Sequence, residues 1–320
     1  RLRPHEVRRW MAPCVEPLEM RLVPTTISLD GTDLVIDSTA SVNNFLQVRF
    51  DNTTDQFVID DTAETLNVNG GTISGFSGSG TNSVVIPRSS VINAQRVLVR
   101  MFDGNDRIEL SPASDTFPIG ITFDGGTDQD MIRINAAVVS VVTGVGVGLI
   151  GEDISVQGEI TTTGGDVLVQ GNNVLLGSAI NTGFGNVNVI GFANVQGNID
   201  TDGGLITFNS GVVIQSPLAT DGGPLTVNGN AMIRATVSTS SGNIELNGFT
   251  SLSGNVTTGG GNFSANGGLE VGADVTISTD HPTGSDGSIT LSGPLDSAPG
   301  PSTYTLINTA KLNDVDPQAW

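Results

Sequence analysis

Apolar residues recur through the second half of the chain at a fixed interval of 19 or 20 residues. Six glycines mark the repeat, and the second residue after each glycine is apolar. The glycines are Gly165, Gly185, Gly204, Gly223, Gly242 and Gly261, and the apolar residues are Val167, Val187, Ile206, Leu225, Ile244 and Phe263. A repeat this even indicates that each unit is one coil of a stack, and that stacking supplies the hydrophobic core.

Within a unit, apolar residues alternate with polar ones, as in Ile244-Glu245-Leu246. This period of two is typical of a strand with one buried face, and glycine suits the turns between strands. Two more apolar columns share the interval: Ile160, Ile180, Ile199, Leu218, Val237 and Val256; and Leu175, Val195, Ile214, Ile233, Leu252 and Val271. The predicted fold is therefore all-β, a right-handed parallel β-helix with rungs of 19–20 residues.

A threonine column completes the unit. It consists of Thr162, Thr182, Thr201, Thr220, Thr239, Thr258 and Thr279. One interpretation is an exposed hydroxyl array, as on ice-binding solenoids. The other is an inward threonine that bonds its neighbours along the stack. Each threonine follows a member of an apolar column by two residues, so it should share the buried face, which favours the inward interpretation.

The pattern divides the chain into four regions. Residues 1–25 form a basic leader that we expect to be disordered, and residues 26–135 form a β-rich region without the strict period, which could cap the stack. Residues 136–295 carry the β-helix repeats. Residues 296–320 form a C-terminal tail, where the chain could be truncated. An uncapped terminal rung exposes unpaired strand edges, so end-to-end self-association is a possible interaction.

Composition narrows the classes of partner. The net charge is −20, which disfavours binding to nucleic acid and to anionic lipid. The apolar stretch 136–150 is short and interrupted by glycine, so we predict no transmembrane segment. Cys14 is the only cysteine, and no disulfide can form within the chain. Stability must therefore come from the stacked strands.

Two acidic turns, at 102–108 and 123–132, are the best candidates for metal binding. Both resemble degenerate copies of the calcium-binding nonapeptide GGxGxDxU, in which turn carbonyls and an aspartate surround Ca²⁺. The candidate ligands are Asp103, Asp106, Asp124, Asp128 and Asp130, and Ca²⁺ is the possible cofactor. The alternative is an ordinary Asp/Gly turn between strands, because the first copy lacks the opening glycine pair and the second has Asp128 in place of a glycine.

Two resemblances bear on location. The segment Glu16-Pro17-Leu18-Glu19, followed by Arg21-Leu22, resembles the LEPR-type leader of exported bacterial proteins. Residues 138–293 resemble the right-handed β-helix of filamentous haemagglutinins and autotransporter passengers, for example in Gly197-Asn198-Ile199-Asp200-Thr201-Asp202-Gly203-Gly204. These resemblances imply an extracellular, cell-surface or envelope protein, which is often adhesive.

The pattern assigns no catalytic or cofactor-binding residue. We therefore predict a non-catalytic extracellular or cell-surface β-helix with a structural or adhesive role, whose partner is a surface glycan or protein. The alternative is a polysaccharide-acting β-helix enzyme, a lyase or a glycoside hydrolase, which needs clustered carboxylates. Asp202 and Asp221 should stack on adjacent rungs with Asp200 beside them, although aspartate in a turn needs no further explanation.

Overall fold

The computed structural model describes residues 24–39 and 41–297, together with the backbone of the strand Leu306–Thr309. Nearly all of the basic leader of residues 1–25, including its LEPR-type motif, lies outside the described residues. So does most of the tail of residues 296–320. The disorder expected for the leader and the truncation considered for the tail therefore stay predictions.

The described chain is almost entirely β-structure, with one short 3₁₀ helix at Arg88–Val91. The strands before residue 136 are β1 (Thr25–Asp30), β2 (Asp33–Asp37), β3 (Phe45–Asp51), β4 (Gln56–Asp61), β5 (Leu66–Val68), β6 (Ser83–Pro87), β7 (Arg96–Arg100), β8 (Arg107–Leu110), β9 (Gly120–Asp124) and β10 (Met131–Ile134). Those of the repeat region begin with β11 (Val138–Ser140), β12 (Val147–Ile150), β13 (Asp153–Val156), β14 (Ile160–Thr162), β15 (Val167–Leu176), β16 (Ile180–Asn181), β17 (Val187–Val195) and β18 (Ile199–Asp200). They continue with β19 (Ile206–Phe208), β20 (Val212–Ile214), β21 (Leu218–Ala219), β22 (Leu225–Val227), β23 (Ala231–Ile233), β24 (Val237–Ser238), β25 (Ile244–Leu246) and β26 (Thr250–Leu252). The last are β27 (Val256–Thr257), β28 (Phe263–Ala265), β29 (Leu269–Val271), β30 (Val275–Ser278), β31 (Ile289–Leu291), β32 (Leu295–Ser297) and β33 (Leu306–Thr309).

Equivalent strands of successive coils pair in parallel and form three ladders. The first ladder runs through β2, β7, β9, β12, β15, β17, β19, β22, β25, β28 and β31. The second runs through β3, β8, β10, β13, β15, β17, β20, β23, β26, β29 and β32. The third is a sheet of nine strands from β11 to β33. The coils from β9 onward therefore make about nine turns of a β-solenoid, which confirms the predicted all-β stack of rungs of about 20 residues.

The core is continuous along the stack. In the first ladder, Val187 pairs with Ile206 and Ile206 with Leu225, and all three side chains are fully buried. The residues between buried positions face outward, as the period of two predicts. Stability is consequently spread over many coils, each of which packs only against its neighbours.

One column member was assigned one residue away from its true position. Leu176, and not Leu175, pairs with Val195 and is fully buried, while Leu175 faces outward beside Asn194. The pairing of β15 with β17 shifts by one residue between Gln170 and Asn173, where the turn of β15 holds an extra residue. A bulge of one residue moves the following side chains to the opposite face, so a count of eight from Val167 ends on the wrong side.

The ladders begin well before residue 136, where the strict repeat starts. Strand β2 pairs with β7, and β3 with β8, both in parallel, so residues 33–134 already contain coils. Their period is concealed, because equivalent positions lie 63 and then 24 residues apart. The longer coil contains an inserted hairpin, since β4 pairs antiparallel with β3 and with β6. Phe50, Phe57 and Phe117 pack together there, with ring centroids 4.8 to 6.5 Å apart.

The threonine column points inward, which confirms the interpretation favoured by its spacing. Its seven members are between 0 and 3% exposed. The Thr201 hydroxyl donates to the Gly204 carbonyl at 2.7 Å, and the equivalent bond from Thr162 to Gly165 is 2.6 Å. Each hydroxyl therefore closes the turn of its own coil. The hydroxyls are not available for an exposed ice-binding face.

Replacing Thr201 with valine should lower the free energy of unfolding by about 1–3 kcal/mol, because the buried Gly204 carbonyl loses its donor. Valine keeps the shape of threonine, so packing changes little. Thr226→Val on the outward side of β22 is the matched control, and we expect it to be nearly neutral. Urea unfolding followed by circular dichroism measures both; equal losses would contradict the role given to the column.

Candidate functional site

The two acidic turns lie on neighbouring coils and stack directly on each other. The Thr127 N–H donates to the Phe102 carbonyl at 2.6 Å, and Asp103 forms a parallel bridge with Thr127. Equivalent residues are 24 apart, which is the length of one coil at this point. The structure thus brings together two turns that look widely separated in the sequence.

Three of the five candidate ligands serve as turn residues. Asp103 and Asp128 are exposed, and Asp124 is half-buried. Each accepts one hydrogen bond: Asp103 from the Thr127 hydroxyl (2.9 Å), Asp124 from the Gly126 N–H (3.0 Å) and Asp128 from the Gly104 N–H (3.3 Å). The Asp124 contact is typical of aspartate in a β-turn, where the carboxylate caps a nearby backbone N–H, whereas the contacts of Asp103 and Asp128 join the two stacked turns.

The other two candidates, Asp106 and Asp130, are buried in a column of carboxylates. Each precedes a strand of the second ladder, and its Oδ1 accepts the N–H of the equivalent residue in the preceding coil. Asp106 accepts from Asn44 at 2.7 Å, and Asp130 accepts from Asp106 at 2.9 Å. Glu152 continues the column by accepting from the Asp130 N–H at 2.8 Å. The carboxylates therefore link successive coils at one corner of the solenoid.

Two further acidic residues, at the end of β4 and just after it, lie close enough to this corner for their charges to act on Asp106. Asp61 Oδ1 accepts the Ala63 N–H at 2.9 Å, and Glu64 Oε2 accepts the Thr25 hydroxyl at 2.8 Å. We call Asp61, Glu64, Asp106 and Asp130 the buried carboxylate cluster. Their exposed fractions are 1%, 5%, 2% and 2%. Sequence reasoning missed Asp61 and Glu64, because neither lies in a recognisable motif.

Every member of the buried carboxylate cluster has one oxygen without a hydrogen-bond partner: Asp61 Oδ2, Glu64 Oε1, Asp106 Oδ2 and Asp130 Oδ2. Asn44 Oδ1 and Thr39 Oγ1 are also buried without a partner. Burial raises the pKa of Asp106 to about 7, and the charges of Asp130, Asp61 and Glu64 raise it as well. Burial likewise raises the pKa of Asp130 to about 6, to which Glu152, Asp128 and Asp124 contribute.

In the presence of a chelator, the melting temperature should fall as the pH rises from about 4 to about 7. The pKa values of Asp106 and Asp130 in the folded protein lie above the ordinary value of 3.8. Their protonated forms therefore contribute stability that is complete at low pH and is lost as the pH rises through about 6 and 7. Thermal unfolding at a series of pH values measures this. Replacing both residues with asparagine should flatten the slope, and an unchanged slope would contradict the assignment.

A second acidic group lies on the surface of the repeat region. Asp200, Asp202 and Asp221 bring carboxylate oxygens within 4.8 Å of one another, and theirs is the one such trio among the described residues. Asp202 and Asp221 occupy equivalent turn positions of adjacent coils, with φ of 48° and 47°. Asp200 accepts the Asp202 N–H at 3.2 Å. The expected stacking is confirmed, and the turn geometry accounts for the residues.

An open groove of about 370 Å³ lies on the outward side of the second ladder, across β10, β13, β15 and β17. Its polar and aromatic lining consists of Arg133, Asp153, Ser155, Asn173, Phe192, Asn194 and Gln196. Asn173 donates to Asp153 at 2.8 Å, which fixes both side chains. Phe192 is 49% exposed. Its ring lies beside Gly211, where an added Cβ would approach Phe192 Cδ2 to 3.2 Å.

Arg133 is a free cation in this groove. The three ion pairs among the described residues join Arg96 to Asp33, Arg100 to Asp37 and Arg107 to Glu109, and none includes Arg133. A guanidinium group offers five N–H donors in a fixed plane. The groove thus combines a charged donor, amide groups and an exposed aromatic ring on a rigid sheet.

No protein-family model, no curated protein and no solved structure matches this chain. Within the part of the chain that the structure describes, no helix has the length and hydrophobicity needed to span a membrane.

Proposed function

We propose that the protein is a non-catalytic extracellular or cell-surface β-solenoid with a structural or adhesive role, and that it binds a neutral glycan in the groove of the second ladder. The single observation that carries this proposal is the lining of the groove. Phe192 is exposed beside amide side chains and the unpaired Arg133. Binding sites of this kind orient a ligand with a few placed polar groups around an apolar surface.

The groove chemistry suits a sugar. The C–H face of a pyranose ring packs on an aromatic ring, and Phe192 presents such a surface to solvent. Asn194 and Gln196 supply amide donors and acceptors for hydroxyl groups, and Arg133 adds charged donors. Arg133 and Asn194 project from strands of the stacked sheet, and Gln196 directly follows one, so these side chains are held in place before a ligand arrives.

Charge favours a neutral glycan over an acidic one. The chain carries a net charge of −20, which repels polyanions such as nucleic acids and uronate polymers. A single guanidinium group at the groove cannot reverse that field. Arg133 is better suited to hydrogen bonds with vicinal hydroxyls, at a site where Asp153 is already held by Asn173.

Two features support action outside the cell. The leader resembles that of exported bacterial proteins, and the repeats resemble surface-displayed β-helices. Continuous buried ladders stabilise the fold along the stack. A stiff, ladder-built rod is a suitable support for an adhesive face.

A polysaccharide-acting enzyme is the alternative that the experiment must separate from binding. Hydrolysis needs two carboxyl groups facing one glycosidic bond. Among the described residues that line the groove, Asp153 is the one carboxylate, and its Oδ1 is bonded to Asn173. This arrangement supports binding more than cleavage.

Glycan-array screening followed by calorimetry on the full chain tests the proposal. We expect saturable binding of a neutral glycan, and we expect Phe192→Ala to weaken it by about tenfold, since an aromatic contact contributes about 0.5–1.5 kcal/mol beyond its area. Phe184→Ala is the matched control, because Phe184 is 78% exposed and lies outside the groove. Equal effects of both variants, or none, would contradict the assignment of the groove.

A further inference from the structure

The unpartnered oxygens of the buried carboxylate cluster belong to one connected corner of the fold. Asn44 and Asp106 are joined by the 2.7 Å bond described above, and Asp106 and Asp130 by one of 2.9 Å. The segment that follows β4 lies alongside, since the Thr62 N–H donates to the Phe45 carbonyl at 3.2 Å. The Thr39 N–H donates to Glu64 Oε2 at 3.3 Å.

Such a cluster lacks the compensation that buried charges require. Carboxylates removed from water are normally paired with a cation or bound to a metal. The ion pairs of the described residues involve Asp33, Asp37 and Glu109, and none involves the cluster. Hydrogen bonds satisfy one oxygen of each carboxylate and leave the other without a donor. Asn44, which is uncharged, 3% exposed and bonded through its N–H to Asp106, also has a buried amide oxygen without a partner.

We propose that the buried carboxylate cluster binds a divalent cation, and that this cation is Ca²⁺. Asp106 is the central ligand. Asp130 and Asn44 lie on the neighbouring coils, and Asp61 and Glu64 come from the inserted hairpin. The ion therefore ties the hairpin to the first coils of the solenoid.

The donor set selects calcium. Calcium takes six to eight oxygen ligands from carboxylates, amide carbonyls and hydroxyls at about 2.3–2.6 Å, whereas Mg²⁺ keeps much of its water. Zinc and the later transition metals favour nitrogen and sulfur, and the cluster offers oxygen alone. The spacing of coils agrees with this choice. Adjacent strands lie about 4.8 Å apart, which is close to twice the Ca–O distance, so an ion between equivalent oxygens of adjacent coils reaches both.

This site differs from the calcium-binding nonapeptide that the two turns resemble. In that motif the ion lies between consecutive turns and is held largely by their carbonyls. Here the ligands are buried side chains from four separate segments of the chain, which contain Asn44, Asp61 with Glu64, Asp106 and Asp130. No three of the cluster carboxylates lie mutually within 4.8 Å, so pairs of carboxylates must be completed by neutral oxygens such as Asn44 Oδ1 and Thr39 Oγ1.

Calorimetry and thermal unfolding of the metal-free full chain test the proposal, with CaCl₂ as the probe. We expect a saturable heat of binding and a rise of several degrees in the melting temperature. Asp106→Asn should abolish both effects, because it removes the central charge but retains an oxygen for the Asn44 N–H. The triple variant Asp103→Asn, Asp124→Asn, Asp128→Asn is the matched control and should respond to calcium as the unmodified chain does.

Two results would overturn the proposal. One is the absence of both heat and stabilisation at millimolar calcium, which would make the cluster a group of protonated carboxyls. The other is a calcium response that survives Asp106→Asn but is lost in the triple variant, which would assign the ion to the exposed turns. Glu64→Gln provides a second test if Asp106→Asn does not give the native circular dichroism spectrum. It should weaken calcium binding without removing the column of Asp106 and Asp130.

Discussion

Replacing Phe208 with alanine is expected to lower the free energy of unfolding by about 3–5 kcal/mol. Phe208 is fully buried in the first ladder, between Val189 of the preceding coil and Val227 of the next. The substitution removes apolar surface from the core and leaves a cavity that neighbouring strands cannot fill, because hydrogen bonds on both sides hold them in register. Urea unfolding followed by circular dichroism measures the loss.

Thr207→Ala on the same strand is the matched control for Phe208. Thr207 faces outward, so its truncation should change the free energy of unfolding by no more than about 0.5 kcal/mol. The two variants should differ in stability because adjacent residues of a strand point to opposite faces, one toward the core and one toward solvent. Similar losses for both variants would mean that the strand does not present alternate faces to core and solvent.

Replacing Gly191 with alanine is expected to be the most damaging change at a corner. Gly191 has a φ of 114°, which costs an L-residue of order 1–3 kcal/mol. An added Cβ would also lie 1.5 Å from the Gly171 carbonyl oxygen of the preceding coil. Relieving that contact requires the two coils to separate, which adds about 1–3 kcal/mol of overpacking. Thermal unfolding should therefore show a large fall in the melting temperature.

Gly144→Ala separates the cost of a positive φ from the cost of the contact with the neighbouring coil. Gly144 also has a positive φ, of 78°, but no atom lies within 4 Å of an added Cβ. Gly144→Ala should therefore lower the free energy of unfolding only by the cost of placing an L-residue at a positive φ. The difference between the two variants then measures the contact between coils. Equal melting temperatures for Gly191→Ala and Gly144→Ala would contradict the close stacking of these turns.

The repeat in the sequence predicted the ladders because each coil packs only against the coils next to it. A coil can bury its apolar face only against an equivalent coil, so a stack imposes its period on the sequence. The inward direction of Thr201 followed from the same parity, since it lies two residues after Ile199. One outward pattern was available but overlooked. Asn209, Asn228, Asn247 and Asn266 form a ladder of side-chain amides at intervals of 19.

The parts that escaped prediction depend on contacts between distant segments. Leu176 takes the buried position because of the bulge in β15, and the alternation of apolar and polar residues does not mark that bulge. The coils before residue 136 are interrupted by the hairpin, so no constant interval marks them. Asp61 and Glu64 join Asp106 because of how that hairpin packs, which a motif search cannot show.

The groove was accessible in principle. Asp153, Asn173 and Phe192 occupy equivalent positions of successive coils, and Arg133 lies in the neighbouring row with Ser155 and Asn194. They occupy positions between the apolar columns, where the sequence reads as ordinary surface. Only the register of β10, β13, β15 and β17 shows that these side chains form two adjacent rows. Rows of this kind can be read from any solenoid once its ladders are aligned.

The most direct test of the proposed role measures binding and cleavage on the same sample. A neutral glycan that binds in the array screen is incubated with the full chain. The bound fraction and the number of newly formed reducing ends are then measured on the same sample. Our account predicts saturable binding that Phe192→Ala weakens, with no change in glycan chain length. Formation of new reducing ends that Asp153→Asn abolishes would contradict it, and would assign the groove to an enzyme.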